Sequence, residues 1–119
     1  MIVKEGKSYP LGGFPAAAHP PVAGDAPKAL FFAPHPDDEC IVGGLAVRLL
    51  REAGMNLINV AVTQGSKKGR QAERLRELEA ACRYIGFGLV ITGPSGLERI
   101  NPKTREQDRP HWARCVRVV

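Results

Sequence analysis

The chain has 119 residues, 44% of them hydrophobic and 24% charged, with a net charge of +5. That is enough for one domain with a modest core, and it is the composition of an ordinary globular protein rather than a disordered one. The 17 lysines and arginines are scattered, with no basic stripe interleaved with aromatics. Nucleic-acid binding is therefore disfavoured, although the positive balance suits anionic ligands.

Cys40, Cys82 and Cys115 form no CxxC pair, which excludes a cysteine zinc ribbon and suits a reducing cytosol. Met1 to Lys7 contain no signal-like apolar segment, and no apolar run approaches the roughly 20 residues of a membrane span. The chain reads as cytoplasmic, with no membrane span.

Residues 1–27 are rich in proline, glycine and alanine and carry neither a helical nor a strand period. They read as an extended N-terminal arm, His19 within it as a solvated loop residue, and residues 28–119 as the domain. Ala29 to Ala33 is a continuous apolar run, the pattern of a strand covered on both faces. Cys40 to Ala53 predicts a mostly buried helix stopped by Gly54, with Gly43 and Gly44 each weakening it by about 1 kcal/mol while letting its backbone approach the sheet.

Leu57 to Thr63 predicts a second strand, ending in the polar turn Gln64 to Gly69. Ala72, Leu75, Leu78, Cys82 and Ile85 recur every three or four residues, giving an amphipathic helix over about 70–85 with Gly86 as its cap. Leu89 to Thr92 is a third strand and Asn101 to Arg109 a polar loop. Pro110 opens a last helix with Trp112, Cys115, Val116 and Val119 on its apolar side. Strand, helix, strand, helix, strand is the order of an α/β, Rossmann-like parallel sheet with alternating helices. Three strands make a small sheet with two faces to cover, so the chain reads as truncated after the third strand, the first part of a larger domain.

The chemistry gathers between the first strand and the first helix, at Pro34-His35-Pro36-Asp37-Asp38-Glu39. In an open parallel sheet, ligands sit beyond the carboxyl ends of the strands, where this turn lies. Pro36 biases His35 toward an extended backbone, so its imidazole should project off the strand end. Acidic residues at a helix start are ordinarily caps that complement the helix dipole. A histidine and two prolines around them add more constraint than capping requires. An imidazole nitrogen with a carboxylate oxygen is also a mixed donor set suited to zinc. Capping and metal binding are compatible.

His35-Pro36-Asp37-Asp38-Glu39 after an apolar strand resembles the signature of the PIG-L (LmbE-like) zinc-dependent N-acetylglucosamine deacetylases. Gly43-Gly44, Thr63-x-Gly65, Arg74-x-x-Glu77, Ala81 and Gly86 follow in the family's order, so the likeness covers about residues 29–97. The resemblance implies that His35 and Asp38 bind Zn2+, or another divalent metal in its place. It further implies that Asp37 is the general base toward zinc-bound water and that Arg74 contacts the substrate, a small N-acetylated sugar or glycoconjugate. By itself Arg74 reads equally well as a solvated helix-face arginine. The family's third zinc ligand, a histidine from a later motif, is expected beyond Val119, because Pro110-His111-Trp112 does not resemble that motif. The loop Pro94-Ser95-Gly96 departs from the family, and the turn Gln64 to Gly69 carries lysines that would favour an anionic substrate.

Two other classes compete. One is a sugar-binding module, catalytically incomplete and without turnover. The other is a nucleotide-binding Rossmann protein, disfavoured because the first turn lacks a glycine-rich phosphate loop and places Asp37 and Asp38 there instead.

Overall fold

A computed structural model describes residues 21–41 and 43–119. Most of the expected N-terminal arm, with His19, lies outside the described residues. From Pro21 the chain runs through a turn at Gly24–Asp25 into strand β1, Lys28–Ala33. The Asn56 side chain donates to the carbonyl of Ala23 (3.0 Å), fixing this approach, and Val22 packs against the core.

The expected alternation is present. After β1 come α1 (Asp38–Ile41), α2 (Gly44–Arg51), β2 (Asn56–Ala61), a 3-10 turn (Lys68–Arg70), α3 (Gln71–Ile85) and β3 (Gly88–Ile91). The three strands form one parallel sheet in the order β1-β2-β3, with Phe32 opposite Val60 and Val60 opposite Val90. Crossovers of one hand that step the same way across a sheet place their helices on the same face. The core accordingly joins Ala46 and Leu50 of α2, Leu57 and Ala61 of β2, Leu78 and Cys82 of α3, and Phe87. Gly54 (φ 63°) and Gly86 (φ 94°) adopt the left-handed conformation past the ends of α2 and α3, and Met55 N–H closes on the Leu49 carbonyl at 3.1 Å. These are the helix stops that the glycines predict.

Three expectations need correction. The first strand is not covered on both faces: Leu30 is 56% and Phe32 43% exposed. Their face, continued by Ile58 and Val90 through the register, is opposite the one carrying α2 and α3. The first helix is not one buried rod either. It breaks at Gly43 into α1 and α2, and Ile41 and Leu45 are 73% and 69% exposed, because a helix on one side of a small sheet buries only a single stripe. Lastly, the polar segment after Ile100 is not a loop but a helix, α4 (Pro102–Gln107), followed by α5 (Arg109–Val118). The Asn101 side chain accepts the Thr104 N–H at 2.9 Å and Pro102 sits at the first position, so capping alone starts this helix with no apolar stripe to announce it.

Candidate active site

The carboxyl ends of β1 and β2 are laced together before any functional side chain is placed. Val62 N–H donates to the Ala33 carbonyl (2.9 Å), and Thr63 Oγ1 donates to the Pro34 carbonyl (2.6 Å) while accepting Gly65 N–H (3.2 Å). Pro34 immediately precedes His35, so Thr63 fixes where the acidic turn begins.

Within the turn His35 and Asp38 are brought together. Asp38 N–H donates to the His35 carbonyl (3.3 Å), and His35 N–H donates back to Asp38 Oδ2 (2.8 Å), a reciprocal pair that closes the turn ahead of α1. The Asp38 carboxylate therefore ties off the turn ahead of α1 and does not cap α1 itself. The same carboxylate oxygen lies 3.8 Å from His35 Nδ1. Zinc takes nitrogen and oxygen ligands at about 2 Å each, so one ion can bridge atoms up to about 4 Å apart, and the pair fits two of its positions. No group of three His, Cys, Asp or Glu side chains able to hold a metal occurs among the described residues.

Asp37 is held differently. Its φ is 124°, in the region that L residues rarely adopt. Its N–H donates to Glu39 Oε2 (3.1 Å), and its carbonyl accepts from Cys40 N–H (2.9 Å) and Ile41 N–H (3.3 Å). Its carboxylate pairs with Arg74 Nη2 at 3.2 Å, and the same nitrogen donates to the Pro36 carbonyl. Arg74 projects from the first turn of α3, half-buried, and reaches the acidic turn past Gly65.

Arg74 and Ser66 line two cavities. One, of about 580 Å³, is bounded by Asp37, Glu39, Cys40, Lys67, Arg70 and Glu77. The other, of about 600 Å³, is bounded by His35, Thr63, Lys68, Gln71, Arg99 and Asn101. His35 and Asp37 thus face separate spaces with Arg74 between them. Lys68 is 3.6 Å from Glu98 and Arg70 is 3.3 Å from Glu73, so these cations of the turn have acidic neighbours. Partial desolvation, then the neighbouring Glu39, pushes the thiol of the otherwise exposed Cys40 upward, which makes it a poor nucleophile. His111 stands apart from this arrangement: its Nε2 contacts the Glu98 carbonyl (2.9 Å) and Cys115 Sγ (3.4 Å), fastening α5 to the loop after β3.

The family model described as "PIG-L: GlcNAc-PI de-N-acetylase" matches residues 30–111, well over half of the chain. The chain belongs to the PIG-L family. Over 89 residues it is 32% identical to the "1D-myo-inositol 2-acetamido-2-deoxy-alpha-D-glucopyranoside deacetylase" of Segniliparus rotundus, a match that takes in 74% of this chain but 28% of that relative. No solved structure matches it. The PIG-L match begins at Leu30 in β1 and includes the whole acidic turn, Thr63, Gly65 and Arg74.

Residue patterns missed Thr63, Gly65 and Glu39 as structural parts of the site. Thr63-x-Gly65 stands out in the sequence only through resemblance, and Glu39 reads as one more acidic residue at a helix start. The available signal was a strand-ending threonine followed by glycine, which pairs a donor to the neighbouring strand with room for an incoming side chain.

Proposed function

We propose that this chain supplies part of the active site of a zinc-dependent deacetylase, which hydrolyses the N-acetyl amide of a sugar or small glycoconjugate. The observation that carries this reading is the approach of His35 to Asp38 at the end of β1, with Asp37 between them in a strained conformation. His35 and Asp38 would hold the metal. Bound there, zinc supplies Lewis acidity that polarises an amide carbonyl and makes water easier to ionise near neutral pH.

The chain's own residues would do the rest. Asp37 accepts the proton of the attacking water, and that proton ends on the departing nitrogen as acetate and a free amine are released. Arg74 orients the Asp37 carboxylate and, lining the cavity onto which His35 opens, is placed to contact substrate there. No helix among the described residues is long and apolar enough to cross a membrane, and a small-molecule substrate suits cavities of this size.

Metal content and deacetylation of Asp37→Ala and Asp38→Ala test the reading. Asp38→Ala should lose zinc. Asp37→Ala should keep zinc while turnover falls by roughly 10²–10⁴-fold, the range of a general base. Full zinc in Asp38→Ala, or undiminished turnover in Asp37→Ala, removes the assigned role.

A binding module without turnover is the second reading, favoured by the partition that sets His35 and Asp37 in separate cavities. Calorimetric binding of an N-acetylated sugar to protein stripped of metal would support it, together with the absence of hydrolysis in the zinc-supplemented protein.

A further inference from the structure

We propose that Glu39 is a positioning residue, whose buried carboxyl group holds the Asp37 backbone in the conformation that turns the Asp37 side chain toward Arg74. The inference rests on the reading of Asp37 as the general base, and it adds a residue to which that reading gives no task.

A non-glycine residue at φ 124° costs on the order of 1–3 kcal/mol and persists only where its surroundings over-determine it. The bonds from Cys40 and Ile41 to the Asp37 carbonyl belong to any helix start, and a helix start does not demand a positive φ. The bond that is particular to this turn is Asp37 N–H to Glu39 Oε2, running back against the chain across two residues. Glu39 is 4% exposed, and its other oxygen lies 3.7 Å from Cys40 Sγ. A capping carboxylate works at the surface, whereas a buried one is costly unless it is hydrogen-bonded, so burial here has a purpose beyond the dipole of a four-residue helix.

The backbone of Glu39 is itself wedged. An ideal Cβ at Gly43 would stand 1.9 Å from the Glu39 carbonyl oxygen, and glycine lets the chain fold back onto it. Glu39 is thus fixed at its backbone by Gly43 and at its carboxyl by the Asp37 amide. Arg74 takes the Asp37 carboxylate from the far side. Asp37 is gripped at both ends, and the Glu39 grip is the one that sets φ.

Two variants separate the accepting oxygen from the bulk: Glu39→Gln keeps an oxygen for the Asp37 N–H, and Glu39→Met fills the volume without one. Three readouts apply, namely hydrogen exchange of the Asp37 amide in metal-free protein, kcat and KM of the zinc-loaded protein, and zinc content. Glu39→Gln should stay within about twofold of the parent throughout. In Glu39→Met, protection of the Asp37 amide and kcat should each fall about tenfold, the worth of one lost hydrogen bond, with KM and zinc unchanged.

Stability supplies a further check, because glycine adopts positive φ freely. Asp37→Gly should raise Tm in the parent, where Glu39 holds the positive φ, and raise it less in Glu39→Met, where that conformation is no longer held. Unchanged exchange and kcat in Glu39→Met, or Glu39→Gln as damaging as Glu39→Met, overturns the proposal. Should Asp37→Ala itself leave turnover intact, the base assignment fails, while the exchange and stability readouts still judge the grip of Glu39 on Asp37.

Discussion

Gly65 and Arg74 are matched across the two halves of the site: an ideal Cβ on Gly65 would lie 2.7 Å from Arg74 Nη1. Through that gap the guanidinium reaches the Pro36 carbonyl and the Asp37 carboxylate. Gly65 also has φ 83°, so Gly65→Ala incurs both backbone strain and a collision. We expect it to lose about 1–3 kcal/mol in chemical denaturation and to break the Arg74–Asp37 pair. Arg74→Ala should lose less. Asp37 is 61% exposed at its side chain, and exposed ion pairs contribute about 1 kcal/mol at most. Equal losses in the two variants would mean that the gap at Gly65 is not what admits Arg74.

Thr63 carries the next prediction, because its hydroxyl is the direct tie between the end of β2 and the residue before His35. Thr63→Val preserves shape and removes the donor, and should cost about 1 kcal/mol. Thr63→Ser should recover most of that. Because the bond sets where His35 leaves the strand, zinc affinity should fall in Thr63→Val beyond what the stability change explains. Metal titration followed by calorimetry reads this, and an unaltered zinc affinity would show that His35 is placed by the turn alone.

The contrast between these two residues shows what the chain's pattern discloses. The three strands, α3 and the end of α2 follow from apolar runs, three-to-four-residue spacing and glycine stops, since each depends on a few neighbours, whereas the break at Gly43 does not. Exposure of Leu30, Phe32, Ile41 and Leu45 depends on which face of the sheet the helices occupy, and an apolar run carries no sign for the empty face. Helix α4 escaped for the opposite reason, having caps but no stripe. His35, Asp37 and Asp38 were legible as a cluster because adjacency in sequence survives folding. The Arg74–Asp37 pair spans 37 residues, and the separation of His35 from Asp37 by Arg74 is a property of side-chain direction. Neither has a local signature.

Gly43 offers a test of the break between α1 and α2. A methyl group there would collide with the Glu39 carbonyl oxygen at 1.9 Å, and backbone on both sides leaves little freedom to yield. Gly43→Ala should therefore cost about 3 kcal/mol, the upper end for overpacking, although alanine is the better helix former. Gly44→Ala meets nothing within 4 Å and should be neutral or slightly stabilising. Thermal melts of the pair decide the matter. If Gly43→Ala melts with Gly44→Ala, α1 and α2 join without the close contact at Glu39.

Acid should loosen the start of α5, and the reason lies in Asp108. Its Oδ1 accepts His111 N–H at the start of α5 (3.1 Å), and its Oδ2 lies 3.3 Å from Arg99. The His111 backbone bond first, then the Arg99 charge, hold its carboxyl below the ordinary value of 3.8. A lowered folded-state pKa means that the carboxylate stabilises α5 fully above the ordinary value. That contribution fades as pH drops through the folded value, because the protonated form accepts these bonds poorly. Trp112 is the chain's single tryptophan, and its N–H donates to the Asp108 carbonyl at 3.0 Å, so its fluorescence reports on this helix start. We expect a red shift of Trp112 emission confined to pH below 3.8. Asp108→Asn, which caps without titrating, should abolish the shift in that window. An identical acid transition in Asp108→Asn would place the sensitive group elsewhere.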